Sequence, residues 1–223
     1  SSKVLAAEQR LVDAAGCRDG YAVEAASVDL ALLESTANGI TLNAGQATLV
    51  REMATSGARL QLAIAPAGSG KTTAMRALAS AWADGGGTII GLAPSAAAAD
   101  ALRSQIDTQT DTLAKLTHSL DQARETGVAM PDWVAGIDSS TLVVIDEAGM
   151  ADTLSLDAAV SYILERGGSV RLIGDDQQLS AIGAGGVLRD IRATHGALQL
   201  TELVRFTDQA EGAASLALRE GKS

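Results

Sequence analysis

Aromatic side chains are scarce in this chain: two Trp, two Tyr and one Phe among 223 residues. Few stacking platforms are therefore on offer, which argues against a domain that grips single-stranded nucleic acid unaided. Basic residues are also in deficit, 17 Lys and Arg against 27 Asp and Glu, a formal charge of −10. A stand-alone DNA-binding domain is usually basic over its footprint, so any DNA contact needs help from other parts of a longer protein. Simple solubility accounts for the acidity equally well. The lone cysteine, Cys17, excludes an intramolecular disulfide framework and a cysteine-rich zinc site. No apolar run approaches the roughly 18 residues of a membrane-spanning helix. Ser1-Ser2-Lys3 is no signal peptide, and a first residue other than Met points to a piece of a longer chain. The expected compartment is reducing and cytoplasmic.

What the chain has is small apolar residues: 47% of it is hydrophobic, led by alanine, enough for one α/β domain with an appendage or for two small domains. The organising stretch is Leu60–Thr73, LQLAIAPAGSGKTT. An apolar run turns through small residues into Gly70-Lys71-Thr72 and then into an alanine-rich helical segment, the order strand, phosphate-binding loop, helix. Small residues suit the loop because its backbone N–H groups must close around phosphate oxygens. On this reading Ala67, Gly68, Ser69, Gly70, Lys71, Thr72 and Thr73 bind nucleotide. Lys71 reaches the β- and γ-phosphates, and Thr72 ligates Mg2+. Ala65 occupies the place where G-x-x-x-x-G-K-T has its first glycine, a change the turn tolerates if it stays open.

Upstream, Lys3–Ala15 and Tyr21–Ala37 read as helical regions without chemical residues, a helical region or linker over 1–40. Leu42–Ser56 reads as a third helix with Asn43 as N-cap. Downstream, strands are expected at Thr88–Ala93, Thr141–Ile145, Val170–Ile173 and near 197–203, alternating with helices and ending in a helix at Asp208–Arg219. Apolar strands that lack in–out alternation and alternate with helices predict a parallel sheet covered on both faces. Its ligand should sit at the carboxyl ends of the strands. Lys71, Ser95, Asp146 and Gln178 all follow strand ends.

Asp146 and Glu147 end the strand TLVVI. Asp146 is placed to hold Mg2+ beside Thr72. Glu147, pointing elsewhere, is placed to orient and deprotonate a water as general base. Gln178 suits contact with both γ-phosphate and water, and the Arg205 guanidinium suits charge developing on a transferring phosphoryl group. Of Asp175 and Asp176, one is expected to cap its loop and the other to be solvated. Gln46 carries an amide able to read N6 and N7 of adenine. His118 and His195 lack ligand-like spacing and read as structural; no metal beyond Mg2+ is expected.

GSGKTT (68–73), VVIDEAGM (143–150), GDDQQL (174–179) with AIGAGGVLRDI (181–191), LNAGQ (42–46) and LTELVRF (200–206) together resemble the ordered motifs of superfamily 1 helicases. The RecD-like branch fits best, and within it the helicase portion of conjugative relaxases of the MobF or TraA type, as found in actinobacteria. The resemblance runs from about Leu42 to Gly221. It implies a RecA-like P-loop NTPase fold over 41–223, the first motor lobe of an ATP-dependent DNA helicase. It matches Gln46 to the adenine reader, Lys71 and Thr72 to phosphate and Mg2+ ligands, and Asp146 and Glu147 to Mg2+ ligand and base. Gln178 matches the γ-phosphate sensor and Arg205 the arginine of the same lobe. Pro94-Ser95 and Thr112-Leu113 match segments that touch the backbone of single-stranded DNA, although Ala96–Ala99 carry no charge there.

The implied partners are single-stranded DNA, a second RecA-like lobe and an upstream relaxase domain of the same parent chain; no membrane is implied. The chain stops soon after Arg205, so the second lobe with its arginine finger is expected to be absent. Loss of such a finger costs about 10^3 to 10^5 in turnover, so the chain alone is expected to hydrolyse ATP poorly. Two rival readings are a RecD-like repair helicase outside conjugation and a non-catalytic DNA-loading or docking module.

Overall fold

The computed structural model describes residues 1–180 and 183–201. Arg205, the end of the last expected strand and the helix expected at 208–219 lie outside the described residues. Three helices come first: α1 (Ser2–Ala14), α2 (Ala25–Ala37) and α3 (Ala44–Thr55). Then follow β1 (Leu60–Ile64), α4 (Lys71–Asp84), β2 (Thr88–Ala93), α5 (Ala96–Ile106), β3 (Thr110–Thr112), α6 (Leu113–Thr126) and α7 (Asp132–Ala135). The described part closes with β4 (Thr141–Ile145), α8 (Thr153–Glu165), β5 (Ser169–Gly174), α9 (Gly185–His195) and β6 (Leu198–Gln199). Single 3-10 turns at Ala148–Met150 and Asp176–Ser180 follow β4 and β5.

Helix starts are set by side-chain oxygens. Asn43, Ser95, Thr112 and Asp152 each accept the N–H three residues on, as N-caps do. Strands β2 and β4 are rich in β-branched residues, which pack well on a pleated surface. Edge strand β3 and the one-turn helix α7 are absent from the sequence reading; neither is long enough to show a period.

The six strands lie in the order β3-β2-β4-β5-β1-β6, and every pairing is parallel. Alternate residues of each strand enter opposite cores. Leu60, Leu62, Ile64, Val143, Ile145, Val170 and Leu172 face α1, α6, α8 and α9. Ala63, Leu142, Val144 and Ile173 face α2, α3, α4 and α5. Both faces are covered over the central strands β2, β4, β5 and β1, which are therefore largely apolar. This is a three-layer α/β architecture, as the alternation of strands and helices predicts.

The two N-terminal helices pack on these layers. Leu11 of α1 is buried with α8 and α9, and Arg10 grips Asp157 of α8 with Nη2–Oδ2 at 2.7 Å. Val28 and Ala31 of α2 are buried against α4.

One charged residue lies inside the central strands. Arg171, in the middle of β5, is fully buried. Its Nε and Nη2 donate to Met53 O at 3.1 and 2.8 Å, and its Nη1 donates to Ala58 O at 2.8 Å. A cation here answers the carbonyls that α3 leaves open at its C-terminus. Burial first, then the nearby charge of Arg18, pushes its pKa down to about 9, still above neutrality. Arg171→Met keeps most of the volume but strands these carbonyls. The substitution should lower stability by about 2–4 kcal/mol, read as a shift in the urea midpoint; an unmoved midpoint would refute the role.

Candidate functional site

The carboxyl edge of the sheet gathers the expected residues. Reading across it, Thr112 ends β3, Ser95 follows β2, Asp146 follows β4, Gln178 follows β5 and Lys71 follows β1. Burial on both sheet faces leaves this edge as the place where polar side chains can collect without cost.

Between β1 and α4, Gly68 and Gly70 take φ of +79° and +86°, conformations that favour glycine. A Cβ on Gly68 would meet open space, so its left-handed backbone, not crowding, calls for glycine there. Gly70 caps α4, whose first backbone bond is Ala74 N to Gly70 O at 3.3 Å. The N–H groups of Lys71, Thr72 and Thr73 are thus left without intrahelical acceptors. Ala65, where the motif has glycine, has no positive φ and lies buried in the core. Its N–H donates to Gly174 O at 2.8 Å, extending the β1–β5 pairing, so the methyl group is accommodated.

Lys71 and Asp146 meet across β5. The Lys71 Nζ donates to both Asp146 oxygens, at 3.0 and 2.8 Å. Asp146 is buried and its Oδ1 also accepts the Glu147 N–H at 2.9 Å. Glu147 adopts φ +49°, a conformation unusual for a residue with a Cβ. That kink turns the chain sharply after Asp146 and starts the 3-10 turn Ala148–Met150. The two adjacent carboxylates are thereby given separate environments.

Gln178 stands on the turn after β5. Asp175 caps that turn, its Oδ1 accepting the Gln178 N–H at 3.0 Å, while the exposed Asp176 pairs with Arg192 at 3.3 Å. One aspartate caps and the other is solvated, as expected. Gly149 locks this turn to the preceding one. A Cβ at Gly149 would lie 2.6 Å from Gln178 Cβ and 2.8 Å from Gln178 O. On the other side, the Ala184 N–H donates to Ala151 O at 2.8 Å. The segments bearing Glu147 and Gln178 are therefore packed as one piece. The sequence reading missed Gly149; its only signal was a glycine inside a strand-exit turn.

Gln46, expected to read a base edge, sits in the first turn of α3 and is buried. Its Oε1 accepts the Asn43 N–H at 2.8 Å, and its Nε2 donates to Gly70 O at 3.1 Å. It ties α3 to the phosphate-loop end, with one donor and one acceptor position left over. Ser95 and Thr112, expected near DNA, lie on neighbouring strands, with Thr112 in register with Ala93. Both hydroxyls serve as helix caps, so two helix N-termini open side by side. Arg205 lies outside the described residues.

Two polar atoms fit a site built for phosphate and water. Ser69 is fully buried with its Oγ unpartnered among the described residues, and Gln178 Oε1 is likewise buried and unpartnered. With the open N–H groups, a lysine and a carboxylate, the donor set suits a polyphosphate carrying a divalent cation. Thr72 and Asp146 are the residues that could hold that cation.

Fold and site together define a RecA-like P-loop NTPase of the α/β class. A protein-family model described as an AAA domain matches residues 41–223, and the chain belongs to that family. It is 30% identical over 164 residues to the conjugal transfer protein TraA of Rhizobium radiobacter, covering 74% of this chain and 14% of that protein. Over 163 residues it is 31% identical to a probable conjugal transfer protein TraA of Sinorhizobium fredii, covering 73% and 14%. Over 176 residues it is 31% identical to the multifunctional conjugation protein TraI of Escherichia coli, covering 76% and 10%. The chain thus spans a small part of the length of these relatives. They support the RecD-like, relaxase-associated helicase lobe that the motifs resemble; an actinobacterial affinity stays an expectation.

Gly149→Ala forces its methyl into the Gln178 backbone. The substitution should cost about 1–3 kcal/mol by overpacking, seen as a lowered thermal midpoint. A melting curve identical to the wild type would show that the two turns are free to separate.

Proposed function

We propose that this chain is the first motor lobe of an ATP-driven DNA helicase or translocase that works in conjugative DNA transfer. The observation that carries the proposal is the Lys71–Asp146 pair, which joins the phosphate loop to the end of β4 across the carboxyl edge. A lysine beside a strand-end carboxylate is the arrangement that, with nucleotide present, divides between phosphate and metal. Lys71 then binds phosphate oxygens, together with the N–H groups at the start of α4. Thr72 and Asp146 hold Mg2+, which when bound neutralises the charge of the phosphate oxygens.

Glu147, set apart from Asp146 by its left-handed backbone, orients water and takes its proton. Gln178 supplies a neutral amide at the same water, and its rigid link to the Glu147 turn keeps the two groups in step. Arg205 is the candidate arginine for the charge of the transferred phosphoryl group. The open N-termini of α5 and α6, with the exposed Lys115 close by, suit contact with the backbone of single-stranded DNA through N–H groups. With a net charge of −10, a firm grip on DNA requires other domains, such as a second RecA-like lobe and a relaxase domain of the parent protein. Among the described residues no helix is long and apolar enough to cross a membrane; the cytoplasm is the proposed compartment.

In the full-length parent protein, Glu147→Gln should lower DNA-stimulated ATP turnover by about 10^2 to 10^4 while nucleotide binding persists. Lys71→Ala should lose both binding and turnover. Hydrolysis that survives Lys71→Ala unchanged would rule out this site as the motor.

A further inference from the structure

Arg171 is a fully buried cation that the proposed reaction leaves without a task. A buried charge is costly unless its donors are answered, and here they are answered by carbonyls on one side of the strand. Besides the bonds of Nε and Nη2 to Met53 O and of Nη1 to Ala58 O, the same Nη1 donates to Val170 O at 3.0 Å. Met53 lies in the last turn of α3 and Ala58 just beyond it, so the guanidinium ties the end of that helix to β5. The segment ahead of α2 closes the same end: the Val23 N–H donates to Ala54 O at 2.8 Å and the Gly20 N–H to Gly57 O at 2.9 Å.

The other end of α3 touches the phosphate loop. Gln46 Nε2 donates to Gly70 O at 3.1 Å, and its Oε1 is fixed by the Asn43 N–H at 2.8 Å. Gly70 O also accepts the Ala74 N–H, the bond that starts α4. From Gln46 to Met53 the helix is only about 10 Å long. At the loop's beginning, the Ala65 N–H donates to Gly174 O at 2.8 Å, and Gly174 ends the strand that carries Arg171. The contacts therefore close a ring. Strand β5 holds Ala65 directly and holds Gly70 by way of Arg171, α3 and Gln46, with residues 66–69 strung between the two anchors.

We propose that Arg171 is a positioning residue for the phosphate loop, acting through α3 and Gln46 on the Gly70 carbonyl; the proposal rests on the phosphate-site reading above. The guanidinium is spent on the carbonyls of Met53, Ala58 and Val170 and makes no contact with a ligand. Its effect is on geometry. A loop that binds phosphate through backbone N–H groups depends on where those groups stand, and a shift of about 1 Å at a reacting site costs roughly a hundredfold. Such precision comes from the contacts that support the loop. The planar fork of arginine reaches Met53 O and Ala58 O together, which the single ammonium of lysine does not.

The test is equilibrium binding of Mg-ATP and Mg-tripolyphosphate to wild type, Arg171→Met, Gln46→Ala and the double variant, in the cold, with folding verified by urea titration. Tripolyphosphate carries no base, so it reads the loop alone. Arg171→Met and Gln46→Ala should each weaken tripolyphosphate binding by roughly tenfold, and the double variant should bind no more weakly than either, because both cut one chain of contacts. Losses that multiply in the double variant, or wild-type affinity in folded Arg171→Met, would overturn the proposal and leave the phosphate site standing. Where Arg171→Met does not fold, Arg171→Lys, which keeps the charge without the fork, takes its place: weakened binding that Gln46→Ala masks supports the proposal, and wild-type affinity overturns it. If wild type binds neither ligand, the phosphate-site reading falls as well.

Discussion

Everything in this molecule depends on one constraint: a parallel sheet buried on both faces can expose polar chemistry only at its strand ends. Leu62, Val143 and Leu172 feed one core while Ala63, Val144 and Ile173 feed the other, so the central strands have no wet side. The register of β1, β5 and β4 then brings Lys71 and Asp146, 75 residues apart, within 2.8 Å of each other. The ion pair is a product of the fold. Strands contribute the lateral spacing, and the tight glycine turn after β1 contributes the reach.

Around that pair the structure uses backbone geometry more than charge. Gly68 and Gly70 open the phosphate loop, Glu147 takes a left-handed turn, and Gly149 lets the two strand-exit turns touch. Such features fix where side chains stand at little cost in long-range electrostatics. They also explain how an acidic chain with few aromatics can carry a phosphate site: the positive end of α4 and one lysine supply the attraction locally. The same economy marks Arg171, whose buried charge is answered by carbonyl groups of α3 and the loop behind it. That contact braces the helix whose other end carries Gln46 against the phosphate loop.

Much of this was legible in the amino-acid order because the relevant signals are local. Leu60–Ile64, Thr88–Ala93 and Thr141–Ile145 are mostly apolar stretches, and each is a strand. Asn43 and Ser95 announce helix starts by capping. What stayed hidden depends on tertiary contact. The three-residue strand β3 has no period to read. Arg171 sits inside an apolar strand and is explained only by carbonyls more than a hundred residues away. Gly149 matters because of Gln178, a spacing that cannot be read along the chain. Gln46 has the type expected of a base reader, yet its neighbours give its amide a bracing contact as well.

The central claim is that the carboxyl edge is a nucleotide site in which Lys71 is held in reserve by Asp146. A crystal structure with Mg2+ and a non-hydrolysable ATP analogue tests it most directly. The account predicts that the Lys71 ammonium leaves Asp146 for the terminal phosphates, with Asp146 turned to the metal and the loop at 65–70 wrapped around the phosphates. An analogue bound elsewhere, with the Lys71–Asp146 pair still at 2.8 Å, would contradict it.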